Sequence, residues 1–218
     1  MASVGFMLPS NREEKALRTA KYINSIETEH DVTIYIYSPN EMKGENIVWF
    51  KEEEPGNGAN KPFDYLATHA ETDYIISIAD DNYVSRNVYS VIDILNGEEF
   101  EDRQVKLLTI NGTDLLPAWL PPPYNHIKVA RHPAFHRSAL DYLNGHLYNP
   151  SYNHHYNDNW LSYYIEHKYG EIIYEVKNVY MELVEPLSNG GYHPEDGYTF
   201  FRMVNKFNTE GCEYDILI

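Results

Sequence analysis

The run Asp73-Tyr74-Ile75-Ile76-Ser77-Ile78-Ala79-Asp80-Asp81-Asn82 constrains the fold more than any other stretch of the chain. Its apolar part is short, β-branched and uncharged, so it reads as a buried strand. The strand runs straight into two adjacent carboxylates and an amide. In an open α/β sheet, ligands bind in the crevice outside the carboxyl ends of the strands. Asp80, Asp81 and Asn82 fall there. Two like charges side by side repel unless a cation or a set of donors meets them. Hard oxygen ligands suit Mg²⁺ or Mn²⁺, which is usually held by one or two carboxylates plus substrate phosphates. Asp-Asp-Asn is equally good turn or helix-capping chemistry, and that reading stands beside the first.

The flanking sequence predicts the sheet this strand belongs to. Ser3 to Leu8 reads as a first strand, ended by Pro9-Ser10-Asn11. Ser10 or Asn11 is expected to cap a helix over 12–27, with Glu13 and Glu14 in its first turn. Asp31 to Tyr37 alternates as a second strand, and Asn46 to Phe50 as a short third. A polar, glycine-rich loop over 52–62 leads to a helix over 62–71, which feeds the central strand. Strand, helix, strand within the opening residues begins a parallel α/β sheet. Beyond it the spacing predicts a helix over 85–95 and a strand over 105–110. Leu116 to Tyr124, with Trp119 and three prolines, is expected to be a stiff loop. A short strand is expected at 128–130 and a helix over 138–147. A second helix, capped by Asn157 or Asp158, runs to about Tyr169 and stops at Gly170. Glu171 to Met181 reads as a strand and 186–197 as loop. Residues 198–207 fit either helix or strand.

The 218 residues suffice for one domain with a sizeable core. With 33 acidic and 17 basic residues the formal charge is -16, which excludes a broad nucleic-acid footprint. No apolar run approaches the roughly 18 residues of a membrane span, so no transmembrane contact is expected. A lone Cys212 leaves no internal disulfide and fits a reducing compartment, so a cytoplasmic location is expected. The 20 tyrosines suit a wet, amphipathic contact face or the edge of a core.

Several side chains carry candidate chemistry. Pro9, Ser10, Asn11 and Arg12 end the first strand, where a base or ribose could be held. Asn60 and Lys61 open a helix and could reach a phosphate or a base edge. Asp158 opens the later helix, as a cap or as a general base for an acceptor hydroxyl. His154, His155 and His193 are candidate late metal ligands. Trp119 could form a wall against a sugar or a base, or simply pin its loop.

These elements, in this order, resemble the GT-A fold glycosyltransferases, particularly the inverting group called family 2. The resemblance rests on Val4 to Arg12, Gly58-Ala59-Asn60-Lys61, Ile75 to Asn82, and Asn157-Asp158-Asn159-Trp160 with Lys168-Tyr169-Gly170. It covers about residues 1–180. It departs from the family in three places: Asp80-Asp81-Asn82 instead of Asp-X-Asp, Asn157 where a Glu precedes the base, and Arg131 to Arg137 instead of a glycine-rich acceptor approach. The resemblance implies an α/β, GT-A-like (Rossmann-like), mostly parallel mixed sheet flanked by helices in one domain. Residues 1–110 would form the nucleotide-sugar half, and 111–218 the acceptor half with a C-terminal extension. It implies a nucleotide diphosphate sugar as donor and Mn²⁺ or Mg²⁺ as cofactor. The metal would be held by Asp81, assisted by Asp80; beyond the resemblance, His193 is a candidate to complete the metal shell, or Arg131 to complete the phosphate contacts. Asp158 would be the base in a single inversion. Saccharide, glycoconjugate or modified nucleobase remain open as acceptors. Two other readings stand: a nucleotidyltransferase, and a non-catalytic carbohydrate- or protein-binding module on a decayed transferase fold.

Overall fold

The computed structural model describes residues 1–53, 58–112, 128–152, 156–183 and 194–210. One eight-stranded mixed sheet runs through it. Its strands are β1 (Ser3–Pro9), β2 (Asp31–Ser38), β3 (Ile47–Lys51), β4 (Tyr74–Ser77), β5 (Asn82–Val84), β6 (Leu107–Gly112), β7 (Pro133–His136) and β8 (Tyr174–Leu183), in the order β3-β2-β1-β4-β7-β6-β8-β5. The first four are mutually parallel. β7 is antiparallel to both β4 and β6, and β6 runs parallel to β8. β5 closes the order, antiparallel to β8.

The helices are α1 (Glu13–Asn24), α2 (Asn60–His69), α3 (Ser90–Asn96), α4 (Asn157–Tyr169) and α5 (Pro194–Glu210). Successive residues of a strand point to opposite faces, and here the alternation divides the core in two. Met7, Tyr35, Ile75, Leu107 and Phe135 pack with α2, α4 and α5. Phe6, Leu8, Ile34, Ile36, Ile76 and Leu108 pack with α1 and α3. Both faces are covered, as a parallel sheet requires. Gly5, inside β1, is demanded by close approach: a Cβ there would lie 2.4 Å from the Thr72 hydroxyl and 2.7 Å from the Tyr35 ring.

The short link from β4 to β5 forces the sheet to curl. Ser77 and Asn82 are five residue steps apart, about 17 Å at full stretch. Four strand spacings across a flat sheet would need about 19 Å. The link is in fact folded into a turn, Asn82 N–H donating to Ala79 O at 3.1 Å. β5 therefore curves back until Tyr22 of α1 donates its hydroxyl to Val84 O at 2.8 Å.

Several expectations need correcting. The expected strand at 128–130 is not one; the pairing strand is β7, a few residues later. The helix expected over 138–147 is a 3-10 turn, Arg137–Leu143, ended by Asn144 in the left-handed region. The helix expected over 85–95 is regular only from Ser90, residues 86–89 before it forming turns. Residues 194–197, expected as loop, open α5 with Pro194 at its first turn, where the missing N–H costs nothing. The ambiguous segment 198–207 is helical within α5. Neither expected cap forms: Arg12 precedes α1 and Tyr156 precedes α4, both without a side-chain cap bond. Tyr148, Tyr152, Tyr163 and Tyr164 are buried, so these tyrosines build the core of the second half rather than a wet face.

Candidate functional site

β1 and β4 are parallel neighbours in register Met7↔Ser77, and Ile78 N–H extends the pairing to Met7 O at 3.0 Å. Ser10 and Asp80 therefore emerge side by side at the carboxyl edge. The Ser10 hydroxyl donates to Asp80 Oδ2. The Arg12 guanidinium grips the same carboxylate with both arms, Nε donating to Oδ2 at 2.9 Å and Nη2 to Oδ1. Its Nη2 also lies 3.6 Å from Asp81 Oδ2. Ser10 is itself fixed. Its N–H donates to Tyr37 O at 3.1 Å, and its hydroxyl accepts the Arg12 N–H at 2.9 Å. From α1, the buried Thr19 hydroxyl donates to the Asp80 carbonyl at 3.2 Å. A buried carboxylate is tolerated when it is paired and hydrogen-bonded, and Asp80 has both. The hydrogen bond to Asp80 holds the Arg12 guanidinium above its ordinary range. The Asp81 side chain is the more open of the pair, 20% exposed against 6% for Asp80.

α2 returns the chain from β3 to β4, both parallel, so its amino end lies at this same edge. Asn60 is buried there, and its Nδ2 has no hydrogen-bond partner. Lys61 is exposed. The first-turn N–H groups of a helix carry partial positive charge and accept anions well.

Asp158 sits one position inside α4, and its Oδ1 accepts the Asn159 N–H at 2.9 Å. Tyr156, just before, has φ +64°, a conformation that non-glycine residues adopt rarely. Asn157 is buried and explains the departure from Glu. Its Oδ1 accepts Asn149 N–H at 2.9 Å and its Nδ2 donates to Asn149 O at 3.1 Å. An amide matches one donor and one acceptor on a single residue; a carboxylate could only accept. The neighbouring Tyr148 is buried between two acids. Burial pushes its hydroxyl far up, and the charges of Asp158 and Asp64 add to it.

Of the sequence-predicted residues, Pro9, Ser10, Asn11, Arg12, Asn60, Lys61, Asp80 and Asp81 all lie at the carboxyl edge. Of these, Ser10, Arg12, Asp80 and Asp81 are joined by direct contacts into one cluster. The register Ile76↔Ala134 carries the segment before β7, with Arg131, toward that edge as well. His154, His155, His193, Trp119 and Cys212 lie outside the described residues. Sequence reasoning missed Asp64, His146, Tyr148 and Asn149, which join α2 to α4. A hollow of about 450 Å³ lined by His30, Asp73, Asp93 and His136 lies at the opposite, amino edge, at the far end of β4.

Among the described residues no group of three His, Cys, Asp or Glu side chains could hold a metal. The donor set at the acid pair is one open carboxylate, Asp81, since both oxygens of Asp80 are engaged. Such a set fits a hard divalent ion that takes its remaining oxygens from phosphates and water.

The mixed sheet and its flanking helices share their fold with solved structures bound to UDP, UDP-GlcNAc or GDP-Man. At 14% identity and TM-score 0.65, the chain is similar to Staphylococcus aureus TarS 1–349 in complex with UDP-GlcNAc, with 96% of this chain and 68% of that one covered. The UDP complex of the same protein gives TM-score 0.64 at 12% identity, and the chain spans 66% of its length and 41% of a longer TarS structure. A mannosyltransferase, PcManGT from Pyrobaculum calidifontis with GDP-Man and Mn²⁺, gives TM-score 0.64 at 14% identity, covering 93% of this chain and 64% of that one. No protein-family model matches the sequence, and no curated protein matches it. Among the described residues no helix is long and apolar enough to cross a membrane.

Proposed function

We propose that this chain transfers a sugar from a nucleotide diphosphate donor to an acceptor hydroxyl, with inversion. The observation that carries the reading is the Ser10–Arg12–Asp80–Asp81 cluster at the carboxyl edge of a transferase-like sheet. Ser10, Arg12, Asn60 and Lys61 would hold the donor's nucleotide, with the exposed Lys61 and the α2 amino end supplying positive charge for phosphates. Asp81 would hold Mn²⁺ or Mg²⁺ together with the diphosphate, and the ion would neutralise the departing nucleotide. Arg12, pinned by Asp80, keeps Asp80 rigid beside that site. Asp158 would take the proton of the acceptor hydroxyl as it attacks the anomeric carbon from the face opposite the leaving group. Saccharide, glycoconjugate and modified nucleobase are the acceptor classes, and His193 would complete the metal shell.

The test is a panel of nucleotide sugars with Mn²⁺, read by nucleoside diphosphate release and by the anomer of the product. One donor should turn over and invert. Asp158→Asn should lower turnover by about 10²–10⁴-fold, the range for loss of a general base. Turnover unchanged in that variant would remove Asp158 from the chemistry. A second reading, a nucleotide-binding module without catalysis, is favoured by one observation: Arg12 already occupies Asp80. It predicts donor binding with no product from any acceptor.

A further inference from the structure

Asp64 lies in the first turns of α2 and is buried, yet it faces a loop 82 residues away in sequence. Its Oδ2 meets His146 Nδ1 at 2.7 Å, and its Oδ1 accepts Tyr148 N–H at 3.1 Å. The Leu147 amide also donates to it. One carboxylate thus gathers three consecutive residues, 146 to 148. Phe63 packs edge-on against the Tyr148 ring, 6.2 Å between centroids. The next residue, Asn149, is the one clamped on both backbone groups by Asn157. Asn157 in turn precedes Asp158. The path from α2 to α4 is therefore continuous: Asp64, the 146–149 segment, Asn157, Asp158.

We infer that Asp64, His146 and Asn157 are positioning residues that set the candidate base of α4 relative to the donor-side helix α2. The inference rests on the transferase reading above. Among the described residues the contacts of the Asp64 carboxylate run to the 146–148 loop and not to α2, and a buried carboxylate is costly unless donors meet it. The loop that leads to the candidate base offsets part of that cost. A contact made at the amino end of α2 thereby fixes the start of α4, where Asp158 sits. Such a relay matters to the chemical step because small misplacements of a base are expensive in rate.

His146 is the member to test first, because its imidazole is partly exposed and its loss leaves both amide donors to Asp64 in place. In His146→Phe the ring volume stays and the donor goes. Transfer kcat should fall about tenfold to a hundredfold, the effect expected of a displacement near 1 Å, while the donor's Kd stays within about twofold. His146→Asn puts an amide Nδ2 where Nδ1 stood and should return kcat to within about threefold of the wild type. Asn157→Asp, which keeps the acceptor for Asn149 N–H and loses the donor, should repeat the split in kcat against Kd. Wild-type kcat in His146→Phe would overturn the inference. So would an equal fall in kcat and donor affinity, or no rescue by His146→Asn. If the wild type transfers no sugar from any donor, the transferase reading fails first and the inference falls with it; a working wild type with unaffected variants sinks the inference alone.

Discussion

The two ends of the candidate site are held by different means. Asp80 leaves β4 and is fixed at once, by Ser10 and Arg12 from the neighbouring strand end. Its partners are a hydroxyl and a permanent cation, and they are a few residues from the sheet. Asp158 is fixed at third hand, through Asn157, the 146–149 segment and Asp64. Its supports are the Asn157 side-chain amide at the start of α4, the backbone of the 146–149 loop and, behind them, the buried Asp64 carboxylate of α2. The proposed donor side is thus held by topology and charge, whereas the proposed acceptor side is held only by its aromatic packing and the contacts running from Asp64. Donor handling in such a molecule should survive changes that remove transfer.

The largest effect should come from the packing under the acceptor side. Trp160 of α4 is fully buried beside Tyr163 and Tyr164. Trp160→Ala should lose about 3–5 kcal/mol in urea denaturation, as large aromatics truncated in cores do. A loss below about 1 kcal/mol would mean that α4 is not anchored by this cluster.

Next comes the donor side. Arg12→Ala strips Asp80 of its cation while Ser10 remains. Because the arginine side chain is 38% exposed, water softens the loss, and about 1–3 kcal/mol is expected. The comparison predicts that this variant also weakens nucleoside diphosphate binding, which Trp160→Ala should leave intact wherever the protein is still folded. Equal loss of binding in both would erase the distinction between the two sides.

A smaller effect is pH-dependent. Burial raises Asp64 above its ordinary value, against the lowering by His146 and the amides. A raised folded-state pKa means that the folded chain binds the proton more readily than the unfolded one. Stability from this group is full below the unfolded value of about 3.9 and declines as pH rises through the folded value. Subtracting the pH–stability curve of Asp64→Asn from that of the wild type should leave this decline. A difference curve that rises with pH would show the opposite sign of shift. The smallest effect belongs to Lys61→Ala: stability within about 0.5 kcal/mol of wild type, with nucleotide affinity reduced several-fold in a titration at low salt.

Much of the first half was legible because its signals are local. Ser3 to Leu8 and Tyr74 to Ile78 are uncharged runs of apolar and small residues, and they fold as β1 and β4. The stripe Val88, Val91, Ile92 and Leu95 is buried as its spacing demanded, although regular helix covers only its later part. Gly170 ends α4 in the left-handed conformation, as a C-terminal glycine should. What was not legible is carried by contacts between distant residues. β7 is Pro133-Ala134-Phe135-His136, too short and mixed to show an alternation, and it becomes a strand because β4 and β6 offer edges. β5 has three residues and owes its place to β8. The α4 face carries apolar and aromatic residues almost all round because α5 covers it, with Tyr163 donating to Asn208 Oδ1 at 2.8 Å. In the site, Asp80 and Asp81 announced themselves by adjacency. Asp64 and His146 had no such signal, being 82 residues apart.

The most direct test of the central claim, that the acid pair at the carboxyl edge is a donor site, is a thermal-shift titration with nucleoside diphosphates, each with and without Mn²⁺. Ligands that bind only the folded chain raise its apparent stability. The account predicts a shift with one nucleoside diphosphate that needs the metal and disappears in Asp81→Ala. No metal-dependent shift with any nucleotide, or the same shift in Asp81→Ala, would contradict it.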